Sequence, residues 1–292
     1  MNNISDMETI DSTPSYANQL GKLSRTKQEL LVTKGSHRMS ISSHVNSAEY
    51  SQLKSDEVHI WSASLLGGER DIAYFLSILS EDERERAKSF RFSKDQNQFI
   101  MARGILRCLL AKYIEETPER IEIAYGAWGK PYLLPKKYLY FNVSHSRSYA
   151  LYAIARTCEV GIDLEFIDKS LDLEYMGSSI FSNSEFTYWK GLDVEDKVKF
   201  FFTRWVSKEA FLKALGKGWF EDQEEFALNF KASIKQMRTE DKVSNLYCFD
   251  LLPGYASALY VHGDLLRPLY YSWSEEYLES KIALSKREWI GM

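Results

Sequence analysis

Cysteine is scarce in this chain of 292 residues: Cys108, Cys158 and Cys248 are odd in number, far apart and lack C-x-x-C spacing. That pattern excludes a disulfide framework and a cysteine zinc site, and it fits a reducing compartment. Long apolar runs are absent as well. No stretch approaches the roughly 20 residues that cross a bilayer, and the opening MNNISDMETID carries Asp6, Glu8 and Asp11 where a signal core would be apolar. The expectation is a cytoplasmic protein with no membrane partner. A basic excess is missing too, since 37 Lys plus Arg stand against 41 Asp plus Glu for a formal net charge of −4. No global positive field points to a nucleic acid, so any polyanion site has to be local.

What the chain does have is apolar material, with 45% hydrophobic and 14% aromatic residues, enough for a sizeable core in one large or two modest domains. Residues 1 to 55 are the exception. They are rich in Ser, Thr, Asn and Gln, with Tyr16 and Tyr50 their only aromatics, so burial cannot offset their ordering entropy. They read as a flexible tail holding at most a short helix over Ser24 to Lys34. From Val58 the texture changes. VHIWSASL alternates as a strand does, and Ser80 with Glu83 forms a capping box that opens the helix SEDERERAKSF. A longer helix over Asp95 to Glu115 follows, with Phe99, Ala102, Leu106 and Leu110 on one face and Arg103 and Arg107 one turn apart. Then come a strand at Ile121 to Tyr125, the turn Gly129-Lys130-Pro131, and strands in FNVSHSRSYALYAIA and EVGIDLEFI.

The second half repeats this order. FSNSEFTYWKGL echoes LSEDERERAKSF, FFTRWVSKEAFLKALGKG echoes FIMARGILRCLLAKYI, and strands ALNF, NLYCFDL and YASALYVHG follow. The fold class expected is α+β, built as two similar halves, residues 56–159 and 160–292, packed with a cleft between them.

Four motifs carry polar chemistry. In Val160-Gly161-Ile162-Asp163-Leu164-Glu165 the period of two puts Asp163 and Glu165 on one strand face and Ile162 and Leu164 on the other. In Trp205-Val-Ser-Lys208-Glu209-Ala-Phe-Leu-Lys213 the spacing of four makes Glu209 and Lys213 neighbours on a helix. Ser144-His145-Ser146 ends the strand FNV, and Gly129-Lys130-Pro131 makes a turn. Taken singly, each has a plain structural reading: a solvated edge, an i,i+4 salt bridge, a hydrogen-bonded histidine and a β-turn.

In this order, over about Val58 to Tyr270, the four resemble the 4′-phosphopantetheinyl transferase family, specifically its larger two-lobed single-chain type serving peptide and polyketide synthetases. The resemblance implies an enzyme that converts apo to holo carrier in fatty acid, polyketide or nonribosomal peptide synthesis. It would move the phosphopantetheine of coenzyme A to a serine of an acyl or peptidyl carrier protein and release adenosine 3′,5′-bisphosphate. It implies a magnesium site made by Asp163, Glu165 and Glu209, an all-oxygen set that suits Mg2+ completed by waters and a diphosphate. Lys213 matches a lysine beside the coenzyme A diphosphate, and Lys208 the lysine preceding it. His145, with Ser144 beside it, matches a phosphate-binding histidine, and Lys130 and Pro131 match the turn against the adenine nucleotide. Arg84, Arg86 and Arg103 lie in helices that approach the 3′-phosphate, with Glu83 standing where some members have a base. Glu209 is the preferred general base, with a metal-polarised water as the other candidate, and Glu209, Lys213 and His145 form the implied catalytic set. The carrier would dock on Tyr175 to Trp189 or leave that segment to the core. Duplication within one chain implies a monomer.

Two other classes remain open at the level of sequence. A magnesium-dependent nuclease or phosphohydrolase would also use D-x-E with a distant K-E, and a non-catalytic coenzyme A or carrier-binding module would keep the fold without turnover.

Overall fold

The computed structural model describes residues 52–135, 139–216, 237–239, 242–263 and 266–273. The short helix expected at Ser24 to Lys34, the strand ALNF and all but the last four residues of the expected tail lie outside these. The described chain is mixed α+β. It opens with strand β1 (Glu57–Ser64), then helices α1 (Glu69–Ile78), α2 (Glu81–Lys88) and α3 (Ser93–Ile114). The hairpin β2 (Glu122–Tyr125) and β3 (Pro131–Leu134) follows, then β4 (Tyr140–Ser146), β5 (Tyr149–Ala155) and β6 (Glu159–Phe166). Next come α4 (Leu173–Ile180), α5 (Asn183–Lys190) and α6 (Val194–Leu215), and last β7 (Met237–Thr239), β8 (Lys242–Phe249), β9 (Tyr255–His262) and β10 (Arg267–Ser272). The helix α1 and the strand β10 were not legible as elements, and α3 begins two residues before the expected Asp95. Among the described residues no helix is long and apolar enough to cross a membrane.

Local chemistry accounts for the helix starts. Ser80 opens α2 with the capping box through Glu83, whose carboxylate takes the Ser80 amide at 3.1 Å, and Ser182 opens α5 in the same way through Glu185 at 2.9 Å. Asp193 caps α6 by accepting from the Asp196 amide, and Gly216 ends it in the left-handed region at φ 63°.

Among the described residues two four-stranded sheets form, in the orders β10-β1-β5-β4 and β6-β9-β8-β7, and the β2-β3 hairpin stands apart. Strand period decides which side chain enters which core. Trp61 and Ala63 of β1 and Tyr152 and Ile154 of β5 pack on the helices α1 to α3. Val58 and Ile60, with Leu151 and Ala153, instead enter a second apolar layer that also holds Val160, Ile162 and Leu164 of β6 and Leu259 and Val261 of β9. That layer joins the two sheets. A third core lies between α4 to α6 and the β6 sheet, around Phe201, Val206, Ala210, Phe211 and Tyr260. The last strand crosses back, with β10 running parallel to β1 from Glu57↔Arg267 to Ser62↔Ser272. A parallel neighbour needs a long connection, which is why the return was invisible to local pattern.

Candidate functional site

Because Ile162 and Leu164 face the shared apolar layer, Asp163 and Glu165 face the opposite way, toward α6 and β4. The approach of α6 to this face depends on Gly161, where a Cβ would meet the Ala210 carbonyl oxygen at 2.0 Å and the Ala214 amide nitrogen at 2.4 Å. Without a side chain there, the helix backbone rests on the strand. Lys213 then reaches Asp163, its ammonium 2.5 Å from Oδ1.

From the other side, β4 meets β6 through side chains. Asn142 Oδ1 accepts from the Ile162 amide (2.8 Å), Ser144 Oγ from the Leu164 amide (3.2 Å) and Ser146 Oγ from the Phe166 amide (3.0 Å). Three alternate residues of β4 thus satisfy three alternate amides of β6, each 20 positions on. The two hydroxyls also donate to the acids: Ser144 to Asp163 Oδ1 at 2.8 Å and Ser146 to Glu165 Oε2 at 3.0 Å. Lys213 gives a further hydrogen bond to Ser144 Oγ at 3.0 Å. This side-chain ladder gives F-N-x-S-H-S a physical meaning that its sequence did not reveal. Asn142 and Ser146 were not among the expected site residues.

The electrostatics are those of a site short of positive charge. Burial, then the neighbouring Asp163 carboxylate, pushes the Glu165 carboxyl up to about 7, and the same two causes in the same order bring Glu209 to about 7. Burial pulls the Lys213 ammonium down, yet Asp163, Glu209 and Glu165 outweigh it and the pKa is raised. The exposed His145 ring is lowered by the protein packed around it and by Lys213, against Asp163. Asp163 Oδ2 is buried with no hydrogen-bond partner, and an orphaned carboxylate oxygen is costly unless a cation meets it. Among the described residues no three His, Cys, Asp or Glu side chains form a ready-made metal cage. The acids converge with one lysine and an all-oxygen donor set, which fits a hard cation that also takes waters and substrate phosphates as ligands.

The remaining expected residues lie elsewhere. Lys208 turns to α5, 3.4 Å from Glu185, which also holds Arg204 at 3.5 Å. Its ammonium also donates to the Ile180 carbonyl, and burial lowers its pKa against the pull of Glu185. Arg103 lies 2.8 Å from Glu83 and donates to the Tyr125 hydroxyl, and Arg107 lies 2.5 Å from the same carboxylate. Arg84 donates to the Leu79 carbonyl, and Arg86 sits over the Phe99 ring. Glu83 is therefore the buried hub of an ion-pair cluster. Lys130 bonds Glu159 and the Ala214 carbonyl. In Tyr175 to Trp189 the residues Ile180, Phe181 and Trp189 are core, whereas Tyr175 is 70% exposed.

Comparison with known proteins gives two family models on this chain. One, described as the 4′-phosphopantetheinyl transferase superfamily, matches residues 159–259, and the other, described as 4′-phosphopantetheinyl transferase, N-terminal, matches residues 64–157. The chain is 39% identical over 169 residues to the 4′-phosphopantetheinyl transferase HetI of Nostoc sp., covering 57% of this chain and 71% of that relative. It is 32% identical over 146 residues to the putative 4′-phosphopantetheinyl transferase slr0495 of Synechocystis sp., covering 49% and 59%. With the 4′-phosphopantetheinyl transferase Sfp of Bacillus subtilis the identity is 26% over 144 residues, covering 49% and 63%. The match therefore spans less than two thirds of the length of the latter two relatives.

Proposed function

The chain belongs to the 4′-phosphopantetheinyl transferase superfamily, and from that premise we propose that it transfers phosphopantetheine from coenzyme A to a serine of an acyl or peptidyl carrier protein. The observation that carries the reading is the convergence of Asp163, Glu165, Glu209 and Lys213 where β6, α6 and β4 meet, with Asp163 Oδ2 buried and unpartnered. A cluster of one buried and two half-buried acids is unfavourable by itself and suits a partner that brings a cation and a polyphosphate together.

Asp163, Glu165 and Glu209 are the residues that would hold magnesium. When bound, the ion supplies neutralisation of the coenzyme A diphosphate. Lys213 lies beside Asp163 and places a second positive charge where negative charge grows on the transferring phosphoryl group. His145, exposed on β4 next to Ser144, is placed to donate to a coenzyme phosphate. Ser144 and Ser146 keep the two strand acids oriented. Glu209 takes the proton from the incoming serine hydroxyl. The serine oxygen then bonds the phosphorus that bears pantetheine, the bond from that phosphorus to the bridging oxygen breaks, and adenosine 3′,5′-bisphosphate leaves. Positioning and charge carry this step, and no covalent enzyme intermediate forms. Pro131 and the backbone of its turn are assigned to the adenine side. Both halves of the site belong to one chain, so a monomer suffices, acting in the cytoplasm.

The test is a mass assay of apo carrier proteins of fatty acid, polyketide and peptide synthesis with the full chain, coenzyme A and magnesium. The expected result is a mass gain of one phosphopantetheine on at least one carrier. No gain on any carrier, despite coenzyme A binding, would leave a binding module, and plasmid cleavage under the same conditions would favour a nuclease. Glu209→Gln is expected to stop transfer while coenzyme A still binds.

A further inference from the structure

Lys130 follows the turn of a hairpin that belongs to neither large sheet, yet its side chain ends deep in the other half of the molecule. Its ammonium donates to Glu159 Oε2 at 2.5 Å, to the Ala214 carbonyl at 2.6 Å and, more weakly, to the Val160 carbonyl at 3.5 Å. The side chain is 16% exposed. Burial pulls its pKa down, and Glu159 opposes that pull.

The acceptor matters. Ala214 sits in the last turn of α6, where the final carbonyls have no intrahelical partner and the helix carries partial negative charge. The αL cap there satisfies Leu212 O through the Gly216 amide and does nothing for Ala214 O. Lys130 supplies a donor to it with a full positive charge. Its stem also packs on the cap, since a Cβ at Gly216 would lie 3.0 Å from Lys130 Cδ. Ala214 directly follows Lys213, whose ammonium meets Asp163. On the strand side the same ammonium holds Glu159, the first residue of β6, four positions before Asp163.

We infer that Lys130 is a positioning residue, a strap from the β2-β3 hairpin that fixes the last turn of α6 against the start of β6 and so sets Lys213 on Asp163. Its acceptors are protein atoms, and it acts on coenzyme A only through the residues it places. The inference rests on the transferase reading for its effect on turnover, but the strap itself is tested without turnover.

The experiment compares the full chain with Lys130→Met and Glu159→Gln. Amide hydrogen exchange is followed over the C-terminal end of α6, and kcat and KM for coenzyme A are followed in the carrier assay. A strap predicts that exchange at the Gly216 amide quickens about tenfold in Lys130→Met and by less in Glu159→Gln, with other helices unchanged. It predicts a fall in kcat in both variants with KM within about threefold of the parent, because geometry rather than phosphate binding is lost. A lysine that binds phosphate directly predicts the reverse: raised KM at constant kcat in Lys130→Met, and unchanged or tighter binding in Glu159→Gln, which frees the ammonium. That pattern, or unchanged exchange in both variants, overturns the inference. If Lys130→Met does not fold, Glu159→Gln decides alone, since an acid cannot itself hold a phosphate. If the parent transfers nothing to any carrier, the functional reading fails while the exchange result still decides the strap.

Discussion

The two halves of the molecule place the same parts at the same positions and then differ at the seam between the long helix and the strand it packs on. Both α3 and α6 run 22 residues and end in a left-handed cap, and both are preceded by an eight-residue helix opened by a Ser-x-x-Glu capping box. The box glutamate is a hub in each: Glu83 holds Arg103 and Arg107, and Glu185 holds Arg204 and Lys208, at matching places along α3 and α6. A lysine in the last turn faces the first strand of its half in both. Lys112 lies over the Trp61 ring at 5.7 Å, and Lys213 meets Asp163 at 2.5 Å. Trp61 and Asp163 are each the fifth residue of their strand. At the remaining two positions Ala63 stands for Glu165 and Cys108 for Glu209. One half fills its helix-strand seam with apolar groups, closed by the Trp61 Nε1 to Tyr113 hydroxyl bond of 2.7 Å, and the other fills it with acid. The hubs are shared by the two halves, and the seam is where they differ.

The strongest way to break this comparison is to change the seam on each side. Asp163→Asn is expected to lower kcat/KM for carrier modification by ~10²–10³-fold, the scale for removing one oriented charge-stabilising group. It should leave urea stability unchanged or raised, because one of three mutually repelling acids is gone. Trp61→Leu should do the opposite, lowering the urea midpoint while each folded molecule keeps its rate. A variant of Trp61 with normal stability and no activity would refute the division.

The hubs offer a matched pair. Glu83→Gln leaves two arginines around a side chain only 3% exposed, and is expected to cost ~3 kcal/mol in urea unfolding. Glu185→Gln, at 11%, should cost less. An inverted order would mean that the halves do not share the burial logic described.

A third prediction uses pH, and the halves have opposite signs. Glu165 and Glu209 sit at about 7 when folded against an ordinary value of 4.5, so the folded protein holds protons that the unfolded chain releases. In the metal-free protein their contribution to stability is therefore lost as pH rises from about 4.5 to about 7. His59, buried beside Tyr113 and Glu57, falls from 6.5 to about 4, burial being the main cause. Its unfolded form takes a proton that the folded form refuses, so its contribution is lost as pH falls from 6.5 toward 4. Thermal melts should show that Glu165→Gln with Glu209→Gln removes the loss on the alkaline side, and that magnesium raises the Tm of the parent more at pH 8 than at pH 5. An equal magnesium effect at both values would separate the ion from these acids.

The smallest effect is expected at the counterpart lysine. Lys112→Met should cost no more than ~1 kcal/mol, the scale of a cation over an aromatic ring, with transfer unaffected, whereas Lys213→Met should stop transfer.

Much of this was legible because it is local and periodic. The alternation in VGIDLEF placed Asp163 and Glu165 on one face, and the spacing of Glu209 and Lys213 placed them one above the other. The Ser80–Glu83 capping box and the echo of LSEDERERAKSF in FSNSEFTYWKGL were legible, and the structure adds the second box at Ser182 and Glu185. Lys208, which the resemblance matched to the lysine preceding Lys213, points another way for a geometric reason: five residues along a helix turn a side chain by about 140° from Lys213, toward α5 and away from β6. The arginines of α2 and α3 looked free because nothing in the sequence says that Glu83 is buried between them.

Composition, strand period and helix spacing, which are properties of short stretches, determined by themselves that the chain is an α+β duplication with an acidic strand and a Glu-Lys helix. Only the tertiary structure decided what each charge meets. Asn142, Ser144 and Ser146 find β6 across 20 residues, Lys130 finds Ala214 across 84, and Arg267 finds Glu57 across 210. Such partners are chosen by chain closure and burial, because a charge or an amide taken out of water must find its complement wherever the fold happens to bring one.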